Sequence, residues 1–163
     1  MRVVSNAGPL ITLSKLGKLN LLKELYGTIV IPDAVQYEVV VQGKGAIGAE
    51  EVANSVWITV EAVTNKLAVE LLRERLDIGE SEAIILSLES KADLLLMDEA
   101  RGRRISEGRG IKLIGTLGLL AVAKKRGVIT KIKPLLDQLI SVGFYMSSSL
   151  YQAMLSQLEE LDK

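Results

Sequence analysis

The sequence predicts an α/β fold in three layers, α/β/α, with a mainly parallel central sheet of four or five strands. Short apolar segments alternate along the chain with longer segments of helical periodicity, which is typical of strands joined by crossover helices. Residues 94–97 are apolar without interruption, as expected for a strand that is buried on both faces of a parallel sheet. The length of 163 residues suits a single domain with its own core.

Each predicted strand is short, apolar and bounded by residues that break regular structure. The first strand is followed by Asn6-Ala7-Gly8-Pro9, in which the proline suits the first turn of a helix, and Pro32 ends the second strand. The predicted strands are residues 2–5, 28–31, 57–60, 94–97 and 111–114.

The remaining segments have apolar residues at helical spacing. Residues 34–42 are ambiguous, because Val39-Val40-Val41 favours a strand whereas Pro32-Asp33 followed by Val35 favours the start of a helix. We predict a helix, because Glu38 inside an apolar stretch is easier to place on one helical face. The predicted helices are residues 10–16, 19–25, 34–42, 49–54, 67–76, 80–89, 99–107, 116–125, 131–142 and 148–161.

The last two predicted helices are additions to the alternating pattern. The final helix has an apolar stripe, for which packing within the monomer is the simpler interpretation. The apolar faces of both helices nevertheless exceed what a small sheet needs to cover, and we therefore predict a homodimer. The residues of the stripe are Leu150, Met154, Leu155, Leu158 and Leu161.

The composition excludes several kinds of chemistry. The chain has no cysteine and no histidine, which rules out thiolate chemistry, serine–histidine triads and the usual zinc ligands. Its 20 Lys and Arg residues balance 20 Asp and Glu residues, so binding to a polyanion requires a local basic patch. An enzyme with this composition must work through carboxylates, amides, hydroxyls, lysine, arginine or a metal held by oxygen ligands.

The sequence contains no recognisable targeting or membrane segment. Residues 1–5 are too short for the apolar region of a signal peptide, and the apolar runs are far below the roughly 18 residues of a membrane span. We therefore expect a cytoplasmic protein that is not bound to a membrane.

Residues 43–48 match the pattern G-x-G-x-x-G of dinucleotide-binding loops. That pattern should follow the first strand of a βαβ unit and open a long helix. Here it follows a predicted helix and precedes a short one, so we keep nucleotide binding only as a third alternative.

Four polar positions are candidates for a shared site. Asn6 and Asp98 each follow a predicted strand, Glu38 lies in an apolar stretch, and Glu82 lies with Glu80 in a predicted first helical turn. Structural explanations exist for most of them, because Asn and Asp cap helices and Glu complements the dipole of a first turn. Glu38 is the hardest to explain in this way, since a carboxylate among valines needs a partner or water. The spacing alone leaves open whether the four meet.

Five segments in this order resemble the PIN-domain family. They are residues 3–11 (VVSNAGPLI), residues 31–38 with their Ile-Pro start and final Glu, residues 79–83 (GESEA), residues 96–98 (LMD) and residues 115–127, which begin GTLGLL. The last segment is similar to a short prokaryotic branch of that family whose function is unknown. The resemblance extends from about residue 3 to about residue 129, so that residues 130–163 are predicted to be additional helices of one PIN-like domain.

The resemblance implies a Mg²⁺- or Mn²⁺-dependent ribonuclease, often the toxin of a toxin–antitoxin pair. It also implies the catalytic residues Glu38, Glu82, Asp98 and Asn6, of which the first three would bind the metal, with Glu80 as a substitute for Glu82. Such a site suits Mg²⁺ physically, because this ion prefers oxygen ligands and takes one or two carboxylates directly. Neighbouring carboxylates would otherwise repel each other and take up protons.

Four further residues are candidates for substrate binding. Arg101, Arg103 and Arg104 follow Asp98 directly and can hold flanking phosphates, or they can form a solvated helix face. Thr116 opens a predicted helix, where it can contact a phosphate or simply cap the helix. The expected partners are an RNA substrate, a small antitoxin protein and a second copy of the chain.

One residue departs from the family pattern. The family usually has Asp where this chain has Asn6. An amide oxygen can bind Mg²⁺ but carries no charge, so the metal affinity should be lower. The second hypothesis is therefore a catalytically weakened or inactive PIN-like module that binds RNA or protein.

Overall fold

The computed structural model describes residues 1–161. The sheet has five parallel strands in the order β3-β2-β1-β4-β5. Val4 in β1 is paired with Val30 in β2 and with Leu95 in β4, so β1 lies at the centre. The strands are β1 (Val3–Ser5), β2 (Ile29–Pro32), β3 (Ile58–Glu61), β4 (Leu94–Leu96) and β5 (Leu113–Ile114).

The helices cover both faces of this sheet. The π-helical segment Tyr37–Gln42 continues α3 directly. The helices are α1 (Ala7–Lys15), α2 (Asn20–Tyr26), α3 (Asp33–Gln36), α4 (Ala49–Asn54), α5 (Lys66–Leu72), α6 (Ile78–Glu89), α7 (Ala100–Glu107), α8 (Thr116–Lys125), α9 (Lys133–Ser141) and α10 (Ser148–Gln157).

Alternating side chains of the strands pack into two separate hydrophobic cores, one on each face of the sheet. Val3 and Leu96 belong to a core formed with α1, α2, α8, α9 and α10, whereas Val4 and Leu95 belong to a second core formed with α5 and α6. This alternation follows from the period of two in a strand, which sends neighbouring side chains to opposite faces. The predicted three-layer α/β/α fold with a parallel sheet is confirmed.

Most predicted elements are present, with shorter ends in several places. The ambiguous residues 34–42 are helical, and their second half is π-helical. The helix predicted over 67–76 ends at Leu72, since residues 73–76 turn into the N-cap of α6 at Asp77. The strand predicted over 111–114 contains only its last two residues.

The two C-terminal helices complete one layer of the monomer. Leu136 and Leu139 of α9 and Leu155 of α10 are buried in the core that also contains β1 and β4. The final helix ends at Gln157 instead of residue 161, and Glu160 beyond it accepts hydrogen bonds from Ile132 N (2.7 Å) and Lys133 N at the start of α9. Much of their apolar surface is therefore covered within the chain, whereas Ile140 and Leu150 are 47% and 42% exposed, and the homodimer stays a prediction.

The glycine-rich residues 43–48 follow the π-helical segment and open the six-residue helix α4. They are not the strand-to-helix turn of a dinucleotide-binding unit. Between residues 1 and 161, every helix is too short or too polar to cross a membrane.

Candidate active site

Asp98 lies at the carboxyl edge of the sheet, two residues beyond the end of β4. Its carboxylate accepts two hydrogen bonds from Thr116, one from the backbone N–H and one from the hydroxyl, both at 2.7 Å. Thr116 is fully buried and is the first residue of α8, so the carboxylate also faces the positive end of a helix dipole. Asp98 is thus fixed by α8 and not by α7, whose N-cap is Glu99.

Asn6 follows β1 at the same edge of the sheet. Its backbone N–H donates to Leu96 O (2.9 Å) of the adjacent strand β4. The side chain is 7% exposed and stands at the N-cap of α1, but it makes no capping hydrogen bond there. Asp98 Oδ2 lies 3.7 Å from the point that a Cβ on Gly8 would occupy. The first turn of α1 and the Asp98 carboxylate therefore face each other.

Glu38 and Asp77 both lie close to Gly79, in the first turn of α6. A Cβ on that glycine would lie 3.1 Å from Glu38 Oε1 and 3.6 Å from Asp77 Oδ1. A side chain at this position would press on the Glu38 carboxylate, whereas glycine lets both carboxylates lie close to the backbone. Burial, and secondly the negative charge of Asp77, raise the pKa of Glu38 above its ordinary value.

Glu80 occupies the other side of the same helix start. Asp77 Oδ1 accepts a hydrogen bond from the backbone N–H of Glu80 (2.7 Å) and so caps α6. The Glu80 carboxylate lies against the first turn of α7, with Oε2 at 3.5 Å from the Cβ position of Gly102. Burial, a hydrogen bond with Asp77 and the charges of Asp77 and Glu99 raise the pKa of Glu80 to about 8.

Glu82 points to a different place from Glu80. Successive residues of a helix are rotated by about 100°, so side chains two positions apart point in nearly opposite directions. Glu82 Oε1 accepts a hydrogen bond from the backbone N–H of Ala34 (2.9 Å), in the first turn of α3. Glu82 thus satisfies a free N–H of α3 and joins that helix to α6.

A family model described as a PIN domain matches residues 2–160. The chain belongs to the PIN-domain family. The matched region includes α9 and α10, so it extends beyond residue 129, where the resemblance seen in the sequence ended. No curated protein matches the chain. PIN domains are generally nucleases, and the chain therefore has a nuclease-type fold.

Two acids of this PIN domain were not among the predicted site residues. Asp77 and Glu99 both lie next to Glu80 and raise its pKa through their charges. The sequence contains a signal for the first of them, because Asp77 followed three residues later by Glu80 is a helix-start pattern with a capping acid.

The three arginines after Asp98 separate into two groups in this PIN domain. Arg103 is half-buried and donates to Met97 O (3.0 Å). Its Nη1 and Asp98 Oδ1 both lie within 3.0 Å of the Cβ position of Gly115. Arg101 and Arg104 are exposed and line an open groove on another side of α7.

PIN nucleases usually use divalent metals, and the donor set of this site fits such an ion. In the described part of the chain, no three acidic side chains are close enough to share one metal. Mg²⁺ nevertheless takes only one or two carboxylates directly and keeps waters as its other ligands. Asp77 is adjacent to both Glu38 and Glu80. Burial is the main cause of the raised pKa of each, and the negative charge of Asp77 raises both pKa values further, an effect that a cation would relieve.

Proposed function

We propose that this PIN domain is a Mg²⁺- or Mn²⁺-dependent endoribonuclease that hydrolyses phosphodiester bonds. The observation that carries the proposal is the grouping of Asp77 with Glu38 and with Glu80 around the start of α6, with a further acid, Asp98, at the carboxyl edge of the sheet. Glu38 comes from the helix after β2, Asp77 and Glu80 from the start of α6, and Asp98 from the end of β4. Ligands of open α/β sheets bind at this edge.

Asp77 and Glu80 are proposed to hold the ion together with water molecules, and Glu38 to stand beside them next to Gly79. When bound, the ion supplies a water of lowered pKa and stabilises charge on the scissile phosphate. Glu82, which the family resemblance names as a ligand, is proposed to position Glu38 through its hydrogen bond to the first turn of α3.

Asp98 and Asn6 complete the proposed site on the side of the central strands. Asp98 is held in one orientation by Thr116, so its carboxylate can accept a hydrogen bond from a water or a substrate hydroxyl without rearranging. Asn6 supplies an uncharged amide at the same edge of the sheet. Arg103 is proposed to hold the loop after β4 through Met97 O.

Cleavage of a labelled single-stranded RNA by the purified protein tests this proposal. We expect cleavage with Mn²⁺ or Mg²⁺ and none in EDTA, and a loss of about 10²-fold or more in Glu80→Gln and Asp98→Asn. Glu107→Gln, an exposed acid at the end of α7, is the matched control and should cleave like the wild type. Cleavage that survives EDTA, or that is unchanged in Asp98→Asn, would contradict the proposal.

The biological setting of this activity is proposed to be that of a toxin. Such a protein acts on RNA in the cytoplasm and is neutralised by a small antitoxin protein. We expect cells that express the wild type to stop growing and cells that express Asp98→Asn to grow. Normal growth of cells that express an active enzyme would argue against a toxin. The homodimer predicted from the sequence is tested by light scattering at micromolar concentration, where a monomer would contradict it.

The second candidate function is a PIN-like module that binds RNA or protein without cleaving RNA. The uncharged Asn6 at the end of β1 favours it, because each carboxylate that is lost lowers the affinity for a divalent ion. RNA binding without metal-dependent cleavage, together with no effect of Mn²⁺ on the melting temperature, would support this candidate over the first.

A further inference from the structure

Four of the eight arginines of the chain line one open groove. Arg101 and Arg104 lie on one face of α7, Arg75 lies on the loop between α5 and α6, and Arg109 follows the end of α7. Ile105 and Gly108 complete the lining of a space of about 580 Å³. The chain has no net charge, so this is a local concentration of positive charge.

Between residues 1 and 161, these four guanidinium groups lack an ion-pair partner. None of them forms an ion pair among the described residues, where the pairs involve Arg2, Arg73, Lys124 and Lys133 instead. Arg101 donates to Arg75 O (3.0 Å) and Arg109 to Ile105 O (3.1 Å). Each guanidinium carries five N–H donors, so most of them point to solvent and are free to bind an anion.

The groove is continuous with the candidate active site. Arg75, Arg101 and Arg104 also line an adjoining space of about 410 Å³, and its other walls include Asp77, Glu80 and Glu99. The acids thus lie at one end of a basic groove. A polyanion in the groove would reach the acids with one of its groups.

We infer that this groove binds successive phosphates of a single-stranded RNA on one side of the bond that is cleaved. Arginine recognises phosphate through paired N–H donors, and basic grooves of this kind follow the backbone of single strands. The inference rests on the proposed function, which identifies the bound polyanion as single-stranded RNA. It assigns phosphate binding to Arg75, Arg101, Arg104 and Arg109. Arg103 is not included, because it donates to Met97 O in the loop after β4.

Binding of a fluorescent single-stranded RNA in EDTA, where the metal-dependent reaction cannot proceed, tests the inference. We expect each of Arg75→Gln, Arg101→Gln, Arg104→Gln and Arg109→Gln to raise Kd roughly 2- to 5-fold. Each substitution should also reduce the slope of log K against log salt by about 0.7, the value for one phosphate contact on a single strand. Affinity should rise with oligonucleotide length until the groove is filled.

Arg73→Gln is the matched control, since Arg73 is also exposed and is close in sequence to Arg75 but lies outside the groove. The inference is overturned if the four variants keep the wild-type Kd and salt slope, if Arg73→Gln weakens binding as much as they do, or if the wild type does not bind RNA. Weaker binding in the four variants, combined with no metal-dependent cleavage by the wild type, would reject the nuclease activity and retain the groove.

Discussion

Thr116 holds Asp98 by two hydrogen bonds, one to each oxygen of the carboxylate, although the residues are 18 positions apart. The pair joins the end of β4 to the start of α8 and fixes the orientation of an acid at the carboxyl edge of the sheet. The Thr116 hydroxyl is buried, so water cannot fully replace it as a donor to Asp98 when it is removed.

Removal of the Thr116 hydroxyl should therefore destabilise the protein. We expect Thr116→Val to lower the free energy of unfolding by about 1–3 kcal/mol, because Asp98 Oδ2 loses its donor in a half-buried place. Thr116→Ser keeps the hydroxyl and should cost less than about 1 kcal/mol. Urea unfolding measures both variants, and equal losses in the two would show that the hydroxyl is not the stabilising group.

Glu82 is expected to act on stability more than on metal binding. Glu82→Ala removes the acceptor for Ala34 N and should cost about 0.5–2 kcal/mol, as for the loss of a helix cap. Glu82→Gln keeps an acceptor oxygen and should cost less. Urea unfolding gives the cost of each variant.

A thermal melt with Mn²⁺ separates this structural role from a ligand role. We expect Glu82→Gln to keep the rise in Tm that Mn²⁺ produces in the wild type, and Glu80→Gln to lose it. If Glu82→Gln is as stable as the wild type but its Tm does not rise with Mn²⁺, Glu82 is instead a metal ligand, as the family resemblance implies.

Glu80 should make the stability of the metal-free protein fall as the pH rises. Burial and the neighbouring acids Asp77 and Glu99 raise its pKa from 4.5 to about 8 in the folded state. Below pH 4.5 the group is protonated in both states. Between these values only the unfolded chain has lost the proton, so the folded state becomes progressively less stable, and above about pH 8 the loss is complete.

The expected size of this effect is moderate, because solvent reaches the Glu80 carboxyl and screens the repulsion. We expect a loss of about 1–2 kcal/mol from pH 5 to pH 8 in EDTA. Glu80→Gln should flatten the pH profile, and Mn²⁺ should restore stability to the wild type at pH 8. A wild-type profile as flat as that of Glu80→Gln would contradict the assignment.

Asn6→Asp should strengthen metal binding. The substitution adds a carboxylate at the edge of the sheet that carries Asp98, which should increase the affinity for Mn²⁺ by about tenfold, since the number of charged ligands tunes such sites. Without metal, the added charge should lower Tm. Titration with Mn²⁺ in a thermal melt measures both effects.

The control for this variant is Asn20→Asp, which adds the same charge at an exposed position of α2. It should leave the Mn²⁺ affinity unchanged. If Asn6→Asp also leaves it unchanged, Asn6 does not belong to the metal site, and the weakened-module hypothesis loses its main support.

Much of the fold could be predicted because its signals are local. The apolar residues 94–97 fix a buried strand, and the breakers Asn6-Ala7-Gly8-Pro9 and Pro32 fix where two strands end. Helix ends were less predictable. Leu76 has the spacing of a helical residue but lies in a turn, because Asp77 already caps the next helix.

The sequence by itself determined the fold class, the family and the edge of the sheet at which polar groups gather, since residues that follow parallel strands must share that edge. Only the tertiary structure decided that Glu80 faces Asp77 and Glu99 while Glu82 binds the first turn of α3. It also decided that Arg75 joins Arg101 and Arg104 in one groove, apart from Arg103. The physical reason is that the rotation of a helix about its own axis is set by the surfaces on which it packs. A short sequence pattern carries no information about those surfaces.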